Sequence, residues 1–338
     1  MMNRFSRRGA LGLIGGAATL PMLGTPALAN TKMTVGALRF TSHAASFVAF
    51  ERGYFAEEGL DVEFKFFEAA QPMAVAIASG DADYAVTAIT GGLISLAEKG
   101  AAKVIGGALS EEKGIDGQMI LASNAAYDAG LTSAAALDGR SFAVTQPGSS
   151  FHYMGAKIAA VEGASVKFTP LQKVGAIIGA MKSGQVDAWT IVPHIGKALS
   201  GGGAVKHIGM VADYLPDYQV TTVFTSASNA SGERAQTEAF LRAFSRGAAD
   251  FNAALVDKTA GDEAGVEMVK LVHKYVYADQ PFEKAEKSIR NGAMRLNKDS
   301  ALNMGSVEDQ LGWFKSEGMV KDSITTETLV DSSYVPMI

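Results

Sequence analysis

The chain has 338 residues, with 30 basic against 35 acidic side chains, a formal net charge of −5 and no cysteine. The missing cysteine excludes disulfides, thiolate chemistry and cysteine metal sites. The acidic balance argues against nucleic acid or an anionic membrane surface as partner.

In chain order, Met1 to Arg8 carries three positive charges and no negative one, and Gly9 to Leu23 is apolar and glycine-rich. Ala27-Leu28-Ala29 then supplies a small-residue cleavage pattern. This is the layout of a secretory signal peptide, so residues 1–29 are expected to be removed and the protein to work in the periplasm. Ser6-Arg7-Arg8 with Leu11 suggests the twin-arginine route, but Ala10 stands where that signal usually has phenylalanine, so the ordinary route stays open. With no cysteine after the cleavage point a lipid anchor is excluded. Residues 30–338 keep 27 basic and 35 acidic side chains, and their number suggests two domains. No later stretch is long and apolar enough to cross a membrane.

Strands are expected at Met33–Phe40, Val62–Phe67, Tyr84–Thr87 and Lys103–Ala108, with helices between them. A second such series follows at Phe142–Thr145, Val166–Pro170, Ala188–Val192 and His207–Val211. From about Ser231 the pattern turns helical, with capped segments such as "TAGDEAGVEMVKLVHKYV" and "SVEDQLGWFKSEG". The class is α/β with a helical C-terminal tail.

A constant shift of 104 positions lays the first series over the second. Glu58-Gly59 falls on Glu162-Gly163, Ser79-Gly80 on Ser183-Gly184, and Asp83 on Asp187. The same shift brings Thr41 and Ser46-Phe47 onto Thr145 and Ser150-Phe151. Two lobes of like construction follow. The first spans 30–118 and 222–338 and the second 119–221, each a mostly parallel sheet with flanking helices. Gly117–Ser123 and Gln219–Ala227 are the expected crossing strands of the hinge. A cleft between the lobes is the expected ligand site, lined by loops beyond the carboxyl ends of the strands. Those loops are Phe40 to Ser46, Ala69 to Gln71, Ala88 to Thr90, Gln146 to His152 and Val192 to His194.

Within them, Gly148 permits close backbone approach, and Ser149 and Ser150 begin a helix where free amides and the dipole favour an anion. Capping alone also explains those serines. Thr41, Ser42, His43 and Ser46 are donors from the other wall, or a polar turn with its cap. Gln71, Thr90 and His194 complete the polar candidates, and Phe40, Phe151 and Trp189 are the aromatic ones, with core packing the other reading for the aromatics. His43, His152 and His194 could form a metal site, but their spacing is not diagnostic and no carboxylate joins them, so hydrogen bonding or stacking is preferred. A protonated histidine there would favour an anion. Arg39 is unusual in an apolar strand and either reaches such a ligand or pairs with an acid.

The runs "VAFERGYFAEEGLDVEF", "AVAIASGDADYAV", "LDGRSFAVTQPGSS" and "IIGAMKSGQVDAWTIVPHIGKAL" resemble the periplasmic solute-binding proteins of the nitrate/sulfonate/taurine transporter type, up to about residue 250. The resemblance implies a type II two-lobed periplasmic-binding-protein fold that delivers solute to an ABC permease. No nucleophile elbow surrounds Gly148-Ser149-Ser150 and no phosphate-loop or dinucleotide signature follows the first strand, so neither cofactor nor catalysis is expected. An enzyme on the same fold is the weaker alternative, and a monomer is expected. The family is similar as well to thiamine-pyrimidine binders and pyrimidine-forming enzymes. The enzyme branch uses a cysteine-rich motif that this chain lacks. The expected ligand is a small organic anion of sulfonate or aromatic carboxylate type, with a pyrimidine as the alternative.

Overall fold

The computed structural model describes residues 30–338; the signal peptide expected at 1–29 lies outside the described residues. The strands are β1 (Thr31–Ala37), β2 (Leu60–Phe66), β3 (Tyr84–Thr87), β4 (Lys103–Ser110), β5 (Met119–Ser123), β6 (Ser141–Val144), β7 (Lys167–Pro170), β8 (Ala188–Ile191), β9 (Val205–Met210) and β10 (Gln219–Thr225). They form two five-stranded sheets, ordered β2-β1-β3-β10-β4 and β7-β6-β8-β5-β9. Both sheets are mixed. The pairs β1·β2, β1·β3, β6·β7 and β6·β8 are parallel, whereas β10 and β5 run antiparallel to their neighbours.

The two antiparallel strands are the crossing segments. β5 enters the second sheet and β10 returns the chain to the first, each lying one place in from an edge. Every residue of β5, "MILAS", and of β10, "QVTTVFT", is buried. Strands covered on both faces lose the alternating pattern of a half-exposed strand. That explains how so polar a run as Gln219–Thr225 serves as core.

The principal helices are α1 (Ala44–Glu51), α2 (Ala70–Ser79), α3 (Gly91–Glu98), α4 (Ser150–Glu162), α5 (Val174–Ser183), α6 (Pro193–Gly201), α7 (Arg234–Phe251), α8 (Asp262–His273), α9 (Phe282–Arg290) and α10 (Met304–Ser316). The last four make up most of the helical C-terminal region. Helices α7, α8 and α10 pack on the first lobe, whereas α9 lies between α8 and α6 of the second lobe; Phe240 of α7 stacks on Tyr84 at 4.4 Å. Val307, Leu311 and Phe314 of α10 join the apolar cluster of Leu93, Ile94 and Val104. No described helix is long and apolar enough to cross a membrane.

The internal repeat has a structural counterpart. The Asp83 carboxylate accepts from the Thr34 amide at 2.7 Å, and Asp187 accepts from the Ser141 amide at 2.8 Å. The two aspartates lie 104 positions apart, but Thr34 and Ser141 lie 107 apart. Strand register agrees, since Val35 pairs with Tyr84 and Phe142 with Ala188. The chain from β1 to β2 is therefore three residues longer than the chain from β6 to β7, for Thr34 pairs with Glu63 and Ser141 with Lys167. The constant shift that set Thr41 against Thr145 misplaces the start of the repeat: by register, Thr145 corresponds to Leu38. An ungapped match cannot show an insertion confined to one strand-to-strand connection.

Candidate functional site

The carboxyl ends of both sheets face each other across a cleft of about 550 Å3, counting its open mouth. The first lobe contributes Leu38, Phe40, Ser42, His43, Ala69, Ala70, Thr87 and Ala88. The second contributes Thr145, Ser149, Ser150, Phe151, Val174, Ile191 and Val192, and Gln118, Val220 and Thr221 come from the crossing strands. None of these lining residues is Lys, Arg, Asp or Glu.

The turn before α4 divides its serines between two duties. Gly148 has a left-handed φ of 75°, a conformation glycine adopts without steric cost. Its carbonyl accepts from the Gly91 amide at 3.0 Å, tying the turn to the start of α3 in the other lobe. Ser149 is the N-cap, its hydroxyl accepting from the His152 amide at 3.4 Å. Ser150 is the first helical residue. Among the described residues its hydroxyl has no hydrogen-bond partner, and the amides of Ser150 and Phe151 have no protein acceptor. Two free amides and a hydroxyl at the N-terminus of a 13-residue helix are suited to an oxygen-bearing anionic group.

Burial holds His43, His152 and His194 toward the neutral form. Burial pushes His43 down to about 3, and it pushes His194 down to about 3 as well, with the charge of His43 adding to the effect. Desolvation disfavours the imidazolium at both positions, so neither ring offers a positive charge to an anion. His43 Nδ1 lies 3.4 Å from the Leu38 amide and accepts from it, which leaves Nε2–H as the ring's donor. His194 does not line the cleft. Thr41 Oγ1 donates to the Gly292 carbonyl at 2.9 Å, so its contact with His194 Nδ1 at 2.9 Å uses the histidine's proton. Thr41 and His194 thus fasten the lobes together beside Phe40, whose ring centroid is 5.5 Å from that of His194. His152 lies apart, against Phe168 and Trp313, and its Nδ1 accepts from the Gly148 amide at 3.1 Å.

Of the other candidates, Phe40, Ser42 and Phe151 line the cleft. Ser46, Gln71, Thr90 and Trp189 stand behind its walls. Ser46 is the third residue of α1, and its buried hydroxyl has no partner. Thr90 caps α3 by accepting from the Leu93 amide at 3.1 Å and donates to Gln71 Oε1 at 3.0 Å. Trp189 is fully buried and backs Phe151 edge-on at 5.6 Å. Arg39 stacks over Phe66 at 3.7 Å and donates to the Tyr275 carbonyl, on the exposed side of the turn. Sequence reasoning did not single out Leu38, Thr87, Gln118, Thr145, Val174, Ile191, Val220 or Thr221. Leu38, Thr87, Thr145 and Ile191 sit at strand ends, where the topological rule could have placed them. Gln118, Val220 and Thr221 carry no local signal.

Two sheets joined by two crossing strands around such a cleft define the two-lobed fold of periplasmic binding proteins. A model of the NMT1/THI5-like family matches residues 40–254, and the chain belongs to that family. Among solved structures it is similar to the alkanesulfonate-binding protein SsuA from Xanthomonas axonopodis pv. citri bound to MOPS. That match is 16% identical over 90% of this chain and 100% of that one, with a TM-score of 0.70. The periplasmic nitrate-binding protein NrtA from Synechocystis PCC 6803 is 15% identical over 88% of this chain and 84% of its own, with a TM-score of 0.70. A ligand-binding component of an ABC-type import system from Staphylococcus aureus, with zinc bound, is 13% identical over 90% and 98%, with a TM-score of 0.70. Identities this low establish the fold alone. No curated protein sequence matches the chain.

Proposed function

We propose that the protein is the periplasmic solute-binding component of an ABC importer, capturing a small organic anion of sulfonate or aromatic carboxylate type for a membrane permease. The observation that carries this reading is the start of α4, where the Ser150 hydroxyl and the free amides of Ser150 and Phe151 meet the cleft. Phe40, Phe151, Val174, Ile191, Val192 and Val220 supply apolar walls for the body of such a solute. With no Lys or Arg in the lining, the anionic head is held by hydrogen bonds and the helix dipole. The absence of carboxylates from the lining, together with neutral histidines, supports capture over turnover.

One observation favours a second reading. An uncharged lining also suits a neutral heterocycle such as a pyrimidine. A thermal-shift screen with benzoate, benzenesulfonate and pyrimidine separates the two. Ligand at 100 times its dissociation constant adds about 2.7 kcal/mol to stability. Stabilisation by the anions is expected; stabilisation by pyrimidine alone transfers the assignment to the neutral class.

A further inference from the structure

The crossing strands enter the cleft with polar groups that the protein leaves unused. Val220 and Thr221 both line the cavity, although successive side chains of a regular strand point to opposite faces. The pairing of β10 with β4 explains this. Gln219 pairs with Ser110, Thr221 with Leu109 and Thr222 with Gly107, so Val220 has no partner on β4 and Ala108 none on β10. Such bulges re-aim side chains and recur beside functional sites. This one is held from behind. Gln219 Nε2 donates to the Thr221 carbonyl at 2.8 Å and to the Leu109 carbonyl at 3.1 Å, and the Asn297 amide donates to the Ala108 carbonyl at 3.0 Å. The Thr221 hydroxyl is buried and has no hydrogen-bond partner among the described residues.

Gln118, immediately before β5, also lines the cavity. Its main-chain amide donates to the Glu111 carboxyl at 3.0 Å, which fixes the residue in place. Its side-chain Nε2 has the Met154 sulfur, a weak acceptor, at 3.1 Å and also faces the Glu111 carboxyl. Among the described residues nothing donates to its Oε1.

We infer that Gln118 and Thr221 form a second polar subsite, selecting solutes that carry an uncharged hydrogen-bonding group, such as a hydroxyl or amine, in addition to the head held at Ser150. This deepens the proposed function and rests on it. Both side chains donate and accept, which matches a hydroxyl or an amine. A second anionic group is disfavoured, since no cation lines the cleft and Glu111 lies directly behind Gln118. Because the subsite is built on the crossing strands, a solute that fills it touches the hinge and both lobes together.

The test is titration calorimetry on matched probes: benzoate with 4-hydroxybenzoate, benzenesulfonate with 4-hydroxybenzenesulfonate, and pyrimidine with 4-aminopyrimidine. The wild-type chain is compared with Thr221→Val, which keeps the shape, and Gln118→Met, which keeps the length. The wild type should favour the substituted member of a pair by about tenfold or more. Each variant should bring that ratio close to one while leaving affinity for the plain member nearly unchanged. A ratio that survives in both variants, or a wild type without preference, overturns the subsite. An equal loss for both members of a pair shows a merely structural role and also overturns it. If only the pyrimidine pair binds, the anionic reading falls and the subsite is judged on that pair; binding by none of the six overturns both.

Discussion

The hydroxyl of Ser149 accepts from the His152 amide, whereas that of Ser150, one position later, has no partner among the described residues. Replacement by alanine should therefore give opposite results at the two sites. Ser149→Ala removes a cap and should cost about 1 kcal/mol of stability with affinity nearly intact. Ser150→Ala should leave the melting temperature nearly unchanged and weaken an anionic ligand about 10- to 100-fold, the worth of a hydrogen bond to a charged group. Calorimetry and melting curves on the two variants decide the matter, and an affinity loss at Ser149 alone would reverse the assignment. Ser46 serves as a control: its hydroxyl is buried without a partner, so Ser46→Ala should not destabilise the fold.

Where α6 of the second lobe meets the turn before α1, a seam forms from Thr41, His194 and Gly292. Gly292 packs so closely that an added Cβ would lie 2.3 Å from His194 Cβ and 2.6 Å from its Cα. Gly292→Ala must therefore move backbone, and the variant should melt several degrees lower and lose the Thr41 contact. The seam also responds to pH. His43 and His194 have folded values near 3, against 6.5 for the free side chain. Between 6.5 and 3 the unfolded chain binds protons that the native chain refuses, so stability is held above pH 6.5 and lost as pH falls toward 3. The melting temperature should be lower at pH 5 than at pH 7, and His194→Gln should reduce the difference. A variant with the wild-type acid profile would exclude His194 as a source.

Across the whole molecule, the lobes touch at more than one place. Besides the seam and the Gly91–Gly148 bond, Asp309 of α10 accepts from Lys157 at 2.8 Å and from the Tyr153 hydroxyl, both on α4. Hinge closure on a ligand held from both sides is the expected motion, so X-ray scattering should give a smaller radius of gyration with ligand. Asp309→Ala should enlarge the radius of the free protein; no change would make the bridge incidental. The hinge holds its own titrating group. Burial pushes the Glu111 carboxyl up to about 7 from 4.5, against the opposing hydrogen bond from Gln118. Here the native chain keeps a proton that the unfolded chain releases at 4.5, so this contribution is complete below pH 4.5 and lost as pH rises to about 7. The sign is opposite to that of the histidines. Relative to Glu111→Gln, the wild type should lose stability between those limits, by on the order of 3 kcal/mol.

Much of the architecture is legible in the chain itself, because strands, helices and turns are written in short-range patterns. Tyr84–Thr87 is read at its full extent from four residues, and Gly80 and Gly184 end equivalent helices in the left-handed conformation. The same local logic finds the serine turn, since a cap and a helix start lie within a few positions of each other. Tertiary structure decided what each side chain faces. Thr41 meets Gly292 across 251 positions, a pairing that no periodicity encodes. It decided that Trp189 backs a wall, that His194 joins the lobes, and that burial keeps His43 and His194 uncharged. It also set the longer connection from β1 to β2 and the bulge at Val220 beside the cleft. These last features depend on register, which is fixed by packing against strands far away in the chain and leaves no periodic trace in the residues it moves.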